Sequence, residues 1–205
     1  MLQKIKVDNN YAVVIDGWYT EEEYNIAFKE CNFASQYLMN PSKTGSATDS
    51  NGNNLKQNKA IFIGELFKDF NRSVIGQFSY KLYQKECIDT LISIDQIYRY
   101  LNSCTNHDCL VSYYEESDYY KAHIDNSVIT MLTWSYEEPK AFHGGNLILR
   151  DKDKNIVAEI ECIANRSVLF PSFMLHEVTE IAMDPEDLNQ NKGRFTISQF
   201  SNISG

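Results

Sequence analysis

No stretch of the chain approaches the roughly 18 consecutive apolar residues that a membrane-spanning helix needs. The first residues, MLQKIKVDNN, carry no apolar core of the secretory kind. A cytoplasmic protein with no membrane partner is the expectation. Basic residues are also short: 19 Lys and Arg stand against 28 Asp and Glu, a net charge of -9. Such a chain repels phosphate backbones, and no Lys/Arg cluster makes a local exception, so nucleic acid is not an expected partner. Cysteine is scarce and irregularly spaced. Cys31, Cys87, Cys104, Cys109 and Cys162 are odd in number and form no CxxC pair, which argues against a disulfide framework. Cys104, His107 and Cys109 fall close together, but a zinc site there lacks a second ligand pair, and the thiols read as buried or incidental.

What is present is ordinary globular material. Apolar residues make up 43% and charged residues 23% of 205, enough for a single domain with a substantial core and too apolar for general disorder. We read residues 1–205 as that one domain, without a linker or internal repeat. Periodicity divides it into a helical front, about 17–102, and a strand-rich back, about 107–201. YAVVI at 11–15 reads as a strand. Thr20 to Glu23 has the capping-box pattern and opens a helix through Tyr24, Ala27, Phe28 and Cys31 that ends near Ala34. Residues 40–58 are almost wholly polar and rich in Asn, Ser and Gly, which predicts a long loop: a lid or substrate-contacting segment, or a surface excursion. Residues 61–67 fit strand or helix, and 72–101 return to a helical pattern. After residue 107, LVSYY, VITMLTW, NLILR, IVAEIEC, SVLF and FTISQF are short β-prone runs, the texture of a sandwich or barrel. The predicted class is α+β with a mainly β core, its N-terminal helices covering one sheet.

The chemistry-bearing residues lie in the back half. His123 and Asp125 flank one residue in a β-prone stretch, and alternate strand residues share a face, so an imidazole and a carboxylate can reach one metal ion. His176, in LFPSFMLHEVTEI, is the third candidate; strands far apart in sequence are neighbours in a jelly roll. Two His and one carboxylate on one side of iron leave positions free for substrate-derived ligands. The competing readings are a surface pair for His123 and Asp125 and a hydrogen-bonded core residue for His176. Arg194 stands in the apolar run GRFTISQF. Burying it is costly unless its fork meets an anion, and Thr196 shares its face. His143 beside Gly144 reads as a turn histidine, and His107 has no supporting pattern.

Taken in order, these segments resemble the prolyl 4-hydroxylase branch of the 2-oxoglutarate/Fe(II)-dependent dioxygenases. YEESDYYKAHID at 114–125 resembles the iron-binding signature, and Thr130 to Trp134 the strand after it. Gly144-Gly145-Asn146-Leu147 resembles the family's Gly-Gly turn, and Leu169-Phe170-Pro171 with His176-Glu177-Val178 its distal-histidine strand. Gly193-Arg194-Phe195-Thr196 resembles the co-substrate anchor. VVIDGWYTEEEY at 13–24 resembles the start of such domains. The resemblance implies a double-stranded β-helix (jelly roll, cupin-like) in which His123, Asp125 and His176 bind Fe(II) as the catalytic centre. It implies 2-oxoglutarate and O2 as co-substrates, with ascorbate as a supporting reductant. Arg194, Thr196 and Tyr114 would bind the co-substrate, with Tyr113 the rival for the tyrosine's place. The implied reaction hydroxylates a peptidyl, prolyl residue and releases succinate and CO2; the partner is then a protein or peptide. An oxygenase of small molecules and a non-catalytic jelly-roll metal- or ligand-binding module are the alternatives. A hydrolytic zinc site with the same ligands has no use for Arg194. Three departures stand out. Ser117 replaces the family's usual Gly, and Trp134 sits where Tyr is common. The 17 residues between His176 and Arg194 make a long gap, whose excess reads as an extended hairpin loop at 184–192. Lys192 and Arg150 are fallback anchors, and this hairpin, with the 40–58 loop, is a candidate substrate contact.

Overall fold

The computed structural model describes residues 1–44, 48–49 and 51–203. The chain opens with a hairpin in which β1 (Leu2–Val7) pairs antiparallel with β2 (Asn10–Asp16) about Asp8, whose backbone is left-handed at φ 52°. β2 is the strand expected at 11–15. β1 is an addition: only Val7 of its residues is fully buried, so its sequence shows no apolar alternation. Helix α1 (Glu21–Ala34) has the expected bounds. The Thr20 hydroxyl accepts the Glu23 N–H at 3.2 Å, and the Glu23 carboxylate accepts the Thr20 N–H at 2.8 Å, satisfying two donors that the first turn would leave bare.

The structure refines three of the sequence-based expectations. The predicted loop at 40–58 does not stay a loop to its end: Lys56–Gln57 form a short strand, β3, on the edge of a sheet. The part of that loop at 45–47 and at 50 lies outside the described residues. Residues 61–67 are both strand and helix, β4 (Lys59–Phe62) running straight into α2 (Ile63–Leu66). The helical stretch after 72 is broken into α3 (Val74–Ser79) and α4 (Lys85–Ile94), joined and followed by 3-10 turns at 80–83 and 96–103. Gln84 and Asp95 take extended backbone angles and interrupt the hydrogen-bond ladder, which apolar spacing alone does not reveal.

The back half is β throughout: β5 (Asn106–Tyr114), β6 (Tyr119–His123), β7 (Ile129–Ser135), β8 (Phe142–Gly144), β9 (Leu147–Arg150), β10 (Ile156–Ile160), β11 (Arg166–Pro171), β12 (Leu175–Val178), β13 (Ile181–Met183) and β14 (Arg194–Asn202). They form a seven-stranded sheet, β1-β2-β11-β7-β14-β5-β4, and a five-stranded sheet, β10-β9-β12-β6-β3, with β13 and β8 as a separate pair. This is the expected double-stranded β-helix with helices on one sheet.

The two faces of the large sheet do different jobs, and residue parity assigns them. Cys109, Val111 and Tyr113 of β5 and Phe195 and Ile197 of β14 pack on Ala27, Cys31 and Ala34 of α1. Val13, Met131 and Leu169 pack on Leu82, Ile88 and Leu91. Each such apolar side chain contributes roughly 1.5–3 kcal/mol. Their neighbours Val14, Leu132 and Phe170 face the other way, into the space between the sheets with Leu147, Leu149 and Val178.

Between β5 and β6 the backbone of Ser117 is left-handed, φ 63°. The turn keeps the conformation that glycine would adopt without strain, so the departure at this position is one of residue and not of shape. Asp118 closes the turn by accepting the Glu115 N–H at 2.9 Å. Burial pushes its carboxyl up to about 6, and the charge of Glu115 adds to this against the Glu115 N–H bond, Lys59 and Gln57. Between roughly pH 4 and 6 the folded chain therefore binds more protons here than the unfolded chain, and this group's contribution to stability falls as pH rises through that window. Relative to Asp118→Asn, wild type should gain stability on going from pH 7 to pH 4.5 in urea titrations. Parallel losses in the two proteins would refute the assignment.

Candidate active site

His123 is the last residue of β6 and His176 the second of β12, and the two are direct partners in the antiparallel register. Asp125 is not on the strand. The same-face argument for His-x-Asp therefore fails at its second member, because β6 ends first. What places Asp125 is the turn beyond, where its N–H donates to the Ser172 carbonyl at 2.9 Å. The result is nonetheless convergence. His123 Nε2 lies 3.6 Å from Asp125 Oδ1 and His176 Nε2 3.5 Å from Oδ2, and one potential ligand atom from each residue falls within 4.8 Å of the others. No other such group of three His, Cys, Asp or Glu forms among the described residues.

The donors are held in place from behind. His123 Nδ1 is 2.8 Å from the Lys121 carbonyl and His176 Nδ1 2.9 Å from the Met174 carbonyl. A carbonyl accepts only an N–H, so both rings carry a proton on Nδ1 and turn Nε2 to the centre. Asp125 Oδ2 accepts the Thr130 hydroxyl at 2.6 Å, and Thr130 meets Ser172 Oγ at 2.9 Å. Tyr120 stacks on His123 with ring centres 3.4 Å apart, and Phe170 leans on His176 at 4.7 Å. Burial, with His176 acting in the same sense, holds the His123 imidazole far below its ordinary value, neutral and ready to ligate. Two imidazoles and a carboxylate on one side of an open position fit the facial iron(II) set.

The triad opens into a cavity of about 160 Å³ that Tyr114, Arg194 and Thr196 also line. Arg194 opens β14 opposite Tyr114 in the register, so the long gap before it has not displaced it. The extra residues of the hairpin are tied down at Asn189, whose N–H donates to Glu115 at 2.7 Å. Arg194 is 0% exposed, yet among the described residues its Nε and Nη1 have no hydrogen-bond partner, and neither has the Thr196 hydroxyl. Its guanidinium lies over the rings of Tyr114 and Trp134, 4.7 and 5.6 Å from their centres. An unpaired buried cation costs several kcal/mol. These orphaned donors fit a carboxylate that arrives with a ligand. Parity decides between the tyrosines. Tyr114 faces the cavity, whereas Tyr113 faces α1 and its hydroxyl is engaged by the Gly193 N–H at 2.9 Å. Burial pushes the Tyr114 phenol up to about 12, with Arg194 pulling the other way, so it stays a donor.

The Gly-Gly turn has a visible purpose. Gly145 sits at φ 68°, and a Cβ there would stand 2.9 Å from Arg194 Cδ. Gly145→Ala should cost on the order of 1–3 kcal/mol and displace the guanidinium. Thermal unfolding and a co-substrate titration should both register it, and a variant normal in both would sink this account.

The other named residues do not join the site. Arg150 pairs with Glu177 and Lys192 with Asp187, each at 2.7 Å, so neither fallback anchor is free. His143 is on β8 and lines a separate groove with Glu137. His107 bonds Ser79 at 2.8 Å among the rings of Phe70, Tyr80 and Tyr83. All five cysteines are free thiols. Sequence reasoning missed Lys56, Asn58 and Thr44, which are buried and line the triad's cavity. Burial pulls the Lys56 ammonium below its ordinary value while Asp125 acts the other way. The only signal was a Lys-x-Asn alternation inside an Asn-rich segment, indistinguishable there from solvated loop.

Residues 109–201 match the family model of the 2OG-Fe(II) oxygenase superfamily. No curated protein matches the sequence. Among solved structures, a Pseudomonas putida prolyl-4-hydroxylase aligns over 95% of this chain and 93% of its own, with TM-score 0.62 and 13% identity. A Trichoplax adhaerens prolyl hydroxylase, in complex with a hypoxia inducible factor peptide fragment, aligns over 96% and 85%, with TM-score 0.62 and 18% identity. A viral collagen prolyl hydroxylase from Paramecium Bursaria Chlorella virus-1, in a 2OG complex, aligns over 95% and 96%, with TM-score 0.52 and 15% identity. These likenesses give the chain a prolyl 4-hydroxylase-like fold, and the segment that matches the 2OG-Fe(II) oxygenase superfamily carries every residue of the triad together with Tyr114, Arg194 and Thr196.

Proposed function

We propose that this protein is an Fe(II)/2-oxoglutarate-dependent hydroxylase of a peptidyl, prolyl-type residue. The observation that carries the reading is Arg194: a fully buried guanidinium with unpaired donors, in the same small cavity as the triad. A hydrolytic zinc site would leave that cation without a purpose. The peptide preference rests on the prolyl hydroxylases that share the fold, one of them holding a peptide. When bound, iron and 2-oxoglutarate supply the oxidising chemistry, in which one O2 converts the 2-oxo acid to succinate and CO2 and places one oxygen atom into a C–H bond.

The chain's own residues bind, orient and shield. His123, Asp125 and His176 hold the metal from one side. Arg194 and Thr196 take the far carboxylate of the co-substrate, and the Tyr114 O–H is a further donor beside them. Leu132 and Val178 form apolar walls that exclude water from the reacting groups. The helical region 17–102 props the catalytic core 107–201 within one domain. Ascorbate as supporting reductant and a cytoplasmic setting belong to the same reading. The groove of about 490 Å³ lined in part by Asp184, Asp187 and Lys192 is a surface on which the 184–192 hairpin would meet a peptide.

The test is turnover. Protein with Fe(II), O2, ascorbate and 2-oxoglutarate should release succinate, and mass spectrometry of a peptide library should find one added oxygen on a defined residue. Absence of succinate from metal-loaded protein would end the proposal.

A further inference from the structure

Two unsatisfied cations, not one, point into the cavity beside the triad. Arg194 is the first. Lys56 is the second, and the reading above assigns the co-substrate's far carboxylate to Arg194. Lys56 lies on the edge strand β3, opposite Tyr120 of β6, and is 6% exposed. Its ammonium can donate three hydrogen bonds. Among the described residues it has one, to the Thr44 carbonyl at 3.4 Å, longer than the roughly 2.7–2.9 Å of a good charge-assisted bond. It lies 5.6 Å from the centre of the Tyr120 ring, and it forms no ion pair among the described residues. The remaining negative charge of the cavity, Asp125, is committed to the triad. Two more buried groups in the same cavity have no partner among the described residues, the Thr44 hydroxyl and Asn58 Oδ1, at 6% and 5% exposure. Asn58 is two residues along and lines the same cavity.

An ammonium and a hydroxyl next to each other are donors for a carboxylate, and the amide oxygen beside them accepts an N–H. On the oxygenase reading above, we propose that Lys56, Thr44 and Asn58 form the prime-substrate subsite, and that the substrate presents a free carboxylate next to an N–H. Lys56 and Thr44 hold the carboxylate and Asn58 the N–H. That chemistry has two sources, a free amino acid or the carboxy-terminal residue of a peptide. A residue in the interior of a neutral peptide segment lacks it.

The experiment uses protein loaded anaerobically with Fe(II) and 2-oxoglutarate, and reads the shift in Tm with three panels: free amino acids, N-acetyl amino acids, and the same N-acetyl compounds as carboxamides. At least one carboxylate should raise Tm while its carboxamide does not. A free amino acid as best binder assigns the small-molecule source, and an N-acetyl compound the peptide end. Lys56→Met should weaken that binding by about ten- to a hundred-fold, the range for losing a hydrogen bond to a charged group, and Lys56→Arg should restore most of it. In both variants the anaerobic 2-oxoglutarate titration should match wild type, which also establishes that they fold. Carboxamides binding as well as acids, no acid binding at all, or Lys56→Met losing 2-oxoglutarate instead would each overturn the subsite. Wild type failing to bind 2-oxoglutarate would fault the oxygenase reading, a separate failure visible before any panel is added.

Discussion

His123→Ala or Asp125→Ala should leave a folded protein that no longer retains iron and releases no succinate. The imidazole and the carboxylate each supply one of three ligand atoms clustered within 4.8 Å, and two ligands from a protein rarely hold a divalent ion against water. A graded control sits behind them. Thr130→Val removes the hydroxyl that donates to Asp125 Oδ2 at 2.6 Å, and loss of such a supporting bond typically costs about 10–100-fold in metal affinity or activity. The ordering alanine variants far below Thr130→Val, and Thr130→Val below wild type, is the expected result, read by equilibrium dialysis of Fe(II) and by succinate release. An alanine variant that keeps a full equivalent of iron would show that the metal sits elsewhere.

Arg194 should give two effects of opposite sign. Its guanidinium is fully buried with two unpaired nitrogens, so the ligand-free fold bears the cost of an uncompensated charge, relieved in part by the Tyr114 and Trp134 rings. Arg194→Met removes that charge while keeping much of the volume. The ligand-free variant should be as stable as wild type or more stable, by up to about 1–4 kcal/mol. Binding moves the other way. With its partner gone, the co-substrate's far carboxylate is left buried and unpaired, and affinity for 2-oxoglutarate should fall by about 2–5 kcal/mol, roughly 30- to several-thousand-fold. Urea unfolding and an anaerobic titration measure the two arms. A variant that loses stability yet binds 2-oxoglutarate normally would mean that the arginine is a packing element.

Much of this was legible in the chain because strand parity and side-chain chemistry point the same way. Arg194 and Thr196 were placed on one face by their spacing, and the register puts them on the cavity side with Tyr114. The capping box fixed the start of α1 through a local hydrogen-bond pair. Where the reading fell short, the missing information was non-local. Asp125 lies off the strand because a turn held by Ser172, 47 positions later in the sequence, ends β6 first. β1 hides because it exposes nearly all its side chains. Lys56, Thr44 and Asn58 look like solvated loop until β3 pairs with β6 and turns them inward. Polar residues acquire meaning only from what buries them, and composition cannot report that.

The alternation along β14 has one more consequence. Arg194, Thr196 and Ser198 look into the cavity while Phe195 and Ile197 look at the helices, so one extra residue spliced in just after Gly193 would roll the whole strand over. Phenylalanine and isoleucine would then plug the chamber, and a guanidinium would be driven into hydrocarbon. Length changes in the neighbouring hairpin are tolerable only if its bonded tether to Glu115 absorbs them before the strand begins, which makes that tether the keeper of the reading frame.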